Sequence, residues 1–202
     1  MSLTSADIFE EVIYRLQALG DQVPSIDREL LSVLQDLSVR YDFLQSSGTV
    51  TTSDGTASYD MPTGFKHLLD APLIGSSEVL TPVTFGRYND LVTYEGSSGE
   101  PDYYCIYNED IFLYPTPDAA YTVTVRYAKR HAESTGTIEF GRAFLDAIAA
   151  GVLARLFGGP LRRFEESAAR RAEALAEYER AAAHLAGNLV TRPVRTGRYR
   201  DL

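Results

Sequence analysis

Tryptophan is absent from this 202-residue sequence, cysteine occurs once, methionine twice, and basic residues are outnumbered 19 to 28 by acidic ones. Each shortage narrows what the chain can be. A single cysteine, Cys105, excludes an internal disulfide and any cluster of thiolate ligands around a metal. No apolar run approaches the roughly 18–20 residues that cross a bilayer, so no membrane partner is expected. The opening residues, Met1-Ser2-Leu3-Thr4-Ser5-Ala6-Asp7, lack the basic stretch and apolar core of a secretory signal. A soluble chain made and kept in the cytoplasm is the expectation. The formal net charge of −9 repels phosphate backbones at long range, which argues against a nucleic-acid clamp. A protein that lets DNA pass without sticking is compatible with it.

The residues of catalysis are equally thin. Three histidines, His67, His131 and His184, fall far apart, and no pair has metal-ligand spacing. Each reads as a surface or structural residue. No Gly-x-Ser-x-Gly elbow and no phosphate-cradling glycine loop occurs; Gly158-Gly159-Pro160 reads as a helix break. Glu109, Asp110 and Asp118 lack the alternating ligands and central glycine of a calcium loop, so solvated turn acids are expected there. Cys105 lies in an apolar strand pattern without basic neighbours, which predicts an inert buried thiol. No catalytic residue, metal or cofactor is therefore expected.

What the chain does have is enough apolar material for a core: 45% hydrophobic residues, with 13 Tyr and 9 Phe. Its length suits one domain, or one domain carrying a large insertion. Charge is unevenly spread. Residues 1–46 are net −5, residues 47–135 net −7, residues 136–187 neutral, and residues 188–202 net +3.

Residues 5–19 show a helical stripe of Ile8, Val12, Leu16 and Leu19, with Thr4 or Ser5 as cap and Gly20 as stop. A second helix, capped by Ser25, is predicted from Leu30, Leu34, Leu37, Tyr41 and Leu44, ending near Ser46-Ser47-Gly48. The period then changes. Residues 49–53 and 56–59 flank Asp54-Gly55, which predicts a β-hairpin. Further strands are expected over 66–74 and 79–85, and a short helical piece over 87–92. A second hairpin is expected over 103–107 and 110–114, followed by a half-buried strand at 121–127. From Phe140 the helical period returns through Phe144, Ile148, Val152 and Leu156. Pro160 is placed to open a last, alanine-rich helix over about 161–185.

The expected fold is therefore α+β: an antiparallel bundle of about four helices, residues 1–46 and 136–187, interrupted by a β-rich sandwich or barrel-like insertion, residues 47–135. Residues 188–202 are expected as an extended C-terminal arm. That arm holds Arg192, Arg195, Arg198 and Arg200 interleaved with Val194, Tyr199 and Leu202. It has two readings: a solvated terminus, or an arm that pairs its arginines with a partner's acids and adds its β-formers to a partner's sheet. The interleaved apolar residues favour the second. Tyr103, Tyr104 and Tyr114 likewise have two readings, cross-strand packing or a stacking platform for sugars.

Taken in order, several motifs resemble the head-to-tail connector (adaptor) proteins of tailed bacteriophages and gene transfer agents. They are Ala6-Asp7-Ile8-Phe9-Glu10-Glu11, Arg40-Tyr41-Asp42-Phe43-Leu44, Asp54-Gly55 through Tyr59-Asp60-Met61-Pro62, Gly99-Glu100-Pro101, and Ile111-Phe112-Leu113-Tyr114-Pro115. Met61 stands where an aliphatic residue is usual before the proline. The resemblance implies a structural neck protein of the virion, between capsid and tail. It would form a ring, typically a dodecamer on the portal and in isolation a monomer, that joins portal to the next neck or tail protein while DNA passes through the lumen. It implies portal binding by the arm, through Arg192, Val194, Arg195, Arg198, Tyr199 and Arg200. Subunit contacts are expected at Arg162, Arg163, Arg170 and Arg171. The alternative is a carbohydrate-binding or tail-tip recognition module built on the tyrosine-rich insertion.

Overall fold

The first helix shows how local chemistry sets an element's start. Thr4 Oγ1 accepts from the Asp7 amide at 3.2 Å while the Asp7 carboxylate accepts from the Thr4 amide at 2.8 Å. This reciprocal pair satisfies two donors that a helix start leaves over, and the Thr4 hydroxyl, donating to the carboxylate at 2.6 Å, together with the Thr4 amide holds the Asp7 carboxyl below its usual range. Helix α1 runs Ser5–Leu16 and buries Ile8, Val12 and Leu16. The computed structural model describes residues 3–16, 25–75 and 77–190. Within them the chain divides into two compact units, Leu44–Arg130 and the flanking segments up to Phe43 and from His131.

In the flanking unit, α2 spans Asp27–Arg40 and buries Leu30, Val33, Leu34 and Leu37. A single-turn 3₁₀ helix, Arg142–Phe144, leads into α4, Leu145–Gly158. A chain of turns follows, and α5 runs Ser167–Val190. Helix α4 is buried almost all round, from Ala147 to Ala154, because α1, α2 and α5 all pack on it. Helix α5 turns Ala174, Tyr178 and Ala182 inward.

The Leu44–Arg130 unit holds nine strands and one helix. They are β1 Gln45–Thr51, β2 Ser58–Asp60, β3 Phe65–Leu68, β4 Leu73–Ile74, β5 Glu78–Val79, β6 Thr81–Pro82, α3 Phe85–Tyr94, β7 Tyr103–Tyr107, β8 Asp110–Tyr114 and β9 Thr122–Lys129. One sheet has the order β1-β9-β4-β5, with β3 also on β9; the other has β2-β8-β7-β6. Val50, Ile74, Val123 and Val125 from the first meet Ile111 and Leu113 from the second in one buried cluster. Strand β9 alternates as its period of two predicts, with Val123, Val125 and Tyr127 inward. Asn108 and Glu109 both take positive φ (55° and 66°), the twist that a two-residue hairpin turn demands.

Three expectations change. Helix α2 ends at Arg40, not near Ser46, although Tyr41 and Leu44 continue its stripe. Tyr41 is extended (φ −131°, ψ 157°), and Ser46-Ser47-Gly48, expected as a break, lies inside β1 and pairs with β9 from Gln45 on. Seven consecutive ladder partners outweigh the helical spacing of two side chains. Gly48 is needed there for space: a Cβ would stand 2.9 Å from Pro62 Cγ. Second, the Asp54-Gly55 turn forms, with Gly55 at φ 74°, but it does not join paired strands. Strand β1 pairs with β9 and β2 with β8, so the turn is a corner between sheets. Third, Pro160 does not open the last helix. Residues 159–166 form turns, and α5 begins at Ser167 and continues to Val190. Asn188 to Val190, expected in the arm, are therefore helical.

Candidate functional site

Of the sequence-predicted site residues, Arg192, Val194, Arg195, Arg198, Tyr199 and Arg200 lie outside the described residues. Arg162, Arg163, Arg170 and Arg171 do not act as one group. Arg170 approaches Glu166 at 3.9 Å and lies over the Phe157 ring at 6.0 Å, so it is engaged within its own chain. Arg162 and Arg163 edge an open cleft of about 680 Å³ together with Arg28, Ser32, Arg155 and one acid, Glu29, so that four guanidiniums face a single carboxylate. Arg171 lines an adjoining cleft of about 490 Å³ with Leu175, Tyr178 and Glu179. Arg155 and Gly159 belong to both clefts.

The floor of this face is an ordered network. Tyr178 donates a very short hydrogen bond to Asp36 Oδ2. The same carboxylate faces Arg40 at 3.4 Å and Arg155 at 3.8 Å. Arg40 makes a two-pronged pair with Glu179, at 2.9 and 2.6 Å, the geometry that makes arginine–carboxylate contacts strong. Arg155 Nε donates to Ser32 Oγ at 3.0 Å, and its guanidinium lies 5.9 Å from the centre of the Tyr178 ring. Burial, then the bond to Asp36, pushes the Tyr178 phenol up, so it stays a donor. Around this floor Arg28, Arg162, Arg163 and Arg171 have no ion-pair partner among the described residues. The arrangement offers cationic donors to a partner around one carboxylate, Glu29, that has no ion-pair partner among the described residues.

Sequence reasoning missed Arg28, Arg155 and Tyr178. A signal existed for the first: Arg28, Ser32, Asp36 and Arg40 recur every fourth residue, a polar stripe beside the leucine stripe on α2. Nothing local connected it to Arg155 or Tyr178.

Arg40 also holds the Glu179 carboxyl below its ordinary value of 4.5 through their hydrogen bonds. A depressed folded value means the pair stabilises above the unfolded value and is lost as the pH falls through the folded one. The helical unit is expected to weaken below about pH 4.5, and Glu179→Gln to flatten that slope. Urea midpoints taken from about pH 6 to about pH 3 check it; parallel slopes would refute the assignment.

Other candidates resolve into structural roles. His131 is buried, stacked on Phe140, its Nδ1 2.8 Å from the Ala132 carbonyl and its Nε2 accepting from the Glu139 amide at 3.4 Å. His67 and His184 are exposed and remote from it in sequence. Glu109 pairs with Arg130 at 2.9 Å and Asp118 accepts from Tyr121 at 2.6 Å. Among the described residues no His, Cys, Asp and Glu group is arranged to hold a cation. Cys105 is buried, and burial raises its thiol. Tyr104 is 9% exposed and Tyr114 is buried, with Ser97 donating to its hydroxyl. Tyr103 packs against Tyr114 at 6.4 Å between ring centres. Packing, the first of the two readings, thus accounts for these three tyrosines. Among the described residues no helix is long and apolar enough to cross a membrane.

A search of curated proteins gives no match. The family described as SU10 adaptor protein matches residues 3–199, both units and the intervening stretches alike. With nearly its whole length matched, the chain belongs to the SU10 adaptor protein family, a family of phage head–tail adaptors.

Proposed function

We propose that this adaptor binds the portal of the capsid and joins it to the next neck or tail protein, as a ring whose lumen passes DNA. The observation that carries the reading is the family match over residues 3–199. The order of elements fits it in kind, with α1 and α2 before the β-rich stretch and α4 and α5 after it. On the portal the ring is a dodecamer; away from it, at low protein concentration, the chain is a monomer. A structural role in the virion fits a face made mainly of arginines, with Asp36 and Glu179 held in ion pairs. An overall charge of −9 suits a wall past which DNA slides without being held.

In this reading Arg192, Val194, Arg195, Arg198, Tyr199 and Arg200 dock on the portal, and Arg162, Arg163 and Arg171 meet a neighbouring subunit. Because α5 continues to Val190, the deletion that tests the arm without shortening the helix is a chain ending at Val190. It is expected to bind the cognate portal at least tenfold more weakly than the full chain, about 1.4 kcal/mol. Equal affinity in a titration of the two would overturn the arm.

A further inference from the structure

The helical unit carries two unlike faces. At about 100° per residue, Glu173 and Glu177 lie on one flank of α5, and Leu175 and Glu179 on the other. Ala174, Tyr178 and Ala182 point inward between them. The first flank meets α1, where Arg15 binds Glu177 at 2.8 Å. The second meets α2, where Arg40 binds Glu179. Helices α1 and α2 therefore stand on opposite flanks of α5.

The outward side of α1 is apolar and acidic together. Phe9 is 43% exposed and Tyr14 67%, with Ile13 beside them. Glu10 lies between them, exposed and without an ion pair among the described residues. On the other flank stands the arginine face, with Arg28, Arg162, Arg163 and Arg171 unpaired among the described residues and Leu175 43% exposed. An acid beside two exposed rings and a concave set of guanidiniums beside an exposed leucine are complementary. Carboxylate pairs with guanidinium, and arginine stacks on aromatic faces.

We propose that the outer face of α1 in one copy seats in the arginine cleft of a second copy. Glu10 then faces Arg162 and Arg163, and Phe9 and Tyr14 cover Leu175. Because the two surfaces are different patches on one chain, the contact is head-to-tail and each copy keeps a free face at either end. Such a contact repeats, and closes into a ring when the rotation allows. The proposal rests on the ring reading above and supplies the pair of surfaces that it needs. A nucleic-acid occupant is disfavoured by the net charge of −9.

The test uses the full chain. Tyr14→Cys and Leu175→Cys, the pair the proposal puts in contact, are made singly and mixed under oxidising conditions at low ionic strength and high protein concentration; the native Cys105 is buried and does not compete. Disulfide-linked dimers are expected in the mixture and not in either variant alone, and Y14C/L175C in one chain is expected to give a ladder of higher oligomers. In sedimentation, R162E/R163E is expected to weaken self-association at least tenfold, and adding E10R to restore it, a rescue that misfolding does not produce. No cross-link in the mixture, or equal cross-linking of each variant alone, overturns the proposal. So does self-association indifferent to the charge reversal. Binding of a labelled oligonucleotide, lost in R162E/R163E without any self-association, would assign the cleft to nucleic acid instead. Electron microscopy separates the two readings. Rings of R162E/R163E on the portal, indistinguishable from the original, would sink this contact and leave the adaptor role standing. A full chain that ignores the portal would sink that role while the cross-links still decide the contact.

Discussion

Tyr178→Ala is expected to lower the stability of the helical unit by about 3–5 kcal/mol, the range for removing a large buried aromatic side chain. The ring is 1% exposed and lies on the inward line of α5 against α4. It also lies under the guanidiniums of Arg40 and Arg155. Truncation removes the ring's contacts and takes from Asp36 its shortest donor in one step. Tyr178→Phe separates the two contributions. It keeps the ring and leaves Asp36 with Arg40 and Arg155, so about 1.5–3 kcal/mol is expected, the usual worth of a hydrogen bond to a charged acceptor. Chemical unfolding followed by far-ultraviolet circular dichroism checks both. If phenylalanine cost as much as alanine, the energy would lie in the hydroxyl and the packing argument would fail.

The second large effect is expected at Gly151. This residue sits in the interior of α4, where glycine is ordinarily a poor choice by about 1 kcal/mol relative to alanine. A Cβ there would stand 2.9 Å from Val33 Cγ1 on α2 and 3.0 Å from Tyr178 Cδ2 on α5. One partner is β-branched and the other is a ring held by Asp36, so neither can swing aside. The three helices approach as closely as they do because position 151 has no side chain. Gly151→Ala is therefore expected to destabilise by about 1–2 kcal/mol despite its better helix propensity, and Gly151→Leu by more, as overpacking does. Val33→Ala removes one of the two obstructing groups. The double variant V33A/G151A is expected to cost at least about 1 kcal/mol less than the sum of the single changes, the signature of residues in contact. Additivity would show that the glycine serves something other than closeness. A stabilised G151A would show that the neighbours yield after all.

The two predictions probe one seam, and that seam was only half legible in advance. The leucine stripe of α2 and the every-fourth-residue stripe of α4 were readable because a 3.6-residue period needs no knowledge of the partner. The polar stripe of Arg28, Ser32, Asp36 and Arg40 was equally present in the sequence. Its meaning was not, because Asp36 finds Tyr178 at 142 residues' separation and Arg155 finds Ser32 at 123. The same limit explains α2's early end. Tyr41 and Leu44 keep the helical spacing, yet the chain turns extended because β9, some eighty residues on, supplies a full ladder for Gln45–Thr51. It also explains the Asp54-Gly55 turn, whose local chemistry was read correctly while its neighbouring strands found partners elsewhere.

The sequence by itself determined the alternation of helical, β-rich and helical stretches, the start of α1 at Thr4 or Ser5, the hairpin around Asn108-Glu109 and the inward face of β9. It also determined the shortage of catalytic groups and the acidic balance. All of these follow from local periodicity, turn chemistry or composition. Only the tertiary structure decided which arginines share a face, that Arg170 is engaged while Arg162, Arg163 and Arg171 are not, and that Tyr104 and Tyr114 serve the core. It alone decided that Gly151 faces both Val33 of α2 and Tyr178 of α5, with no room for a side chain. Those outcomes depend on which distant segments meet, and the free energy that chooses among pairings comes from burial and ladder bonds shared across the chain rather than from any single stretch of it.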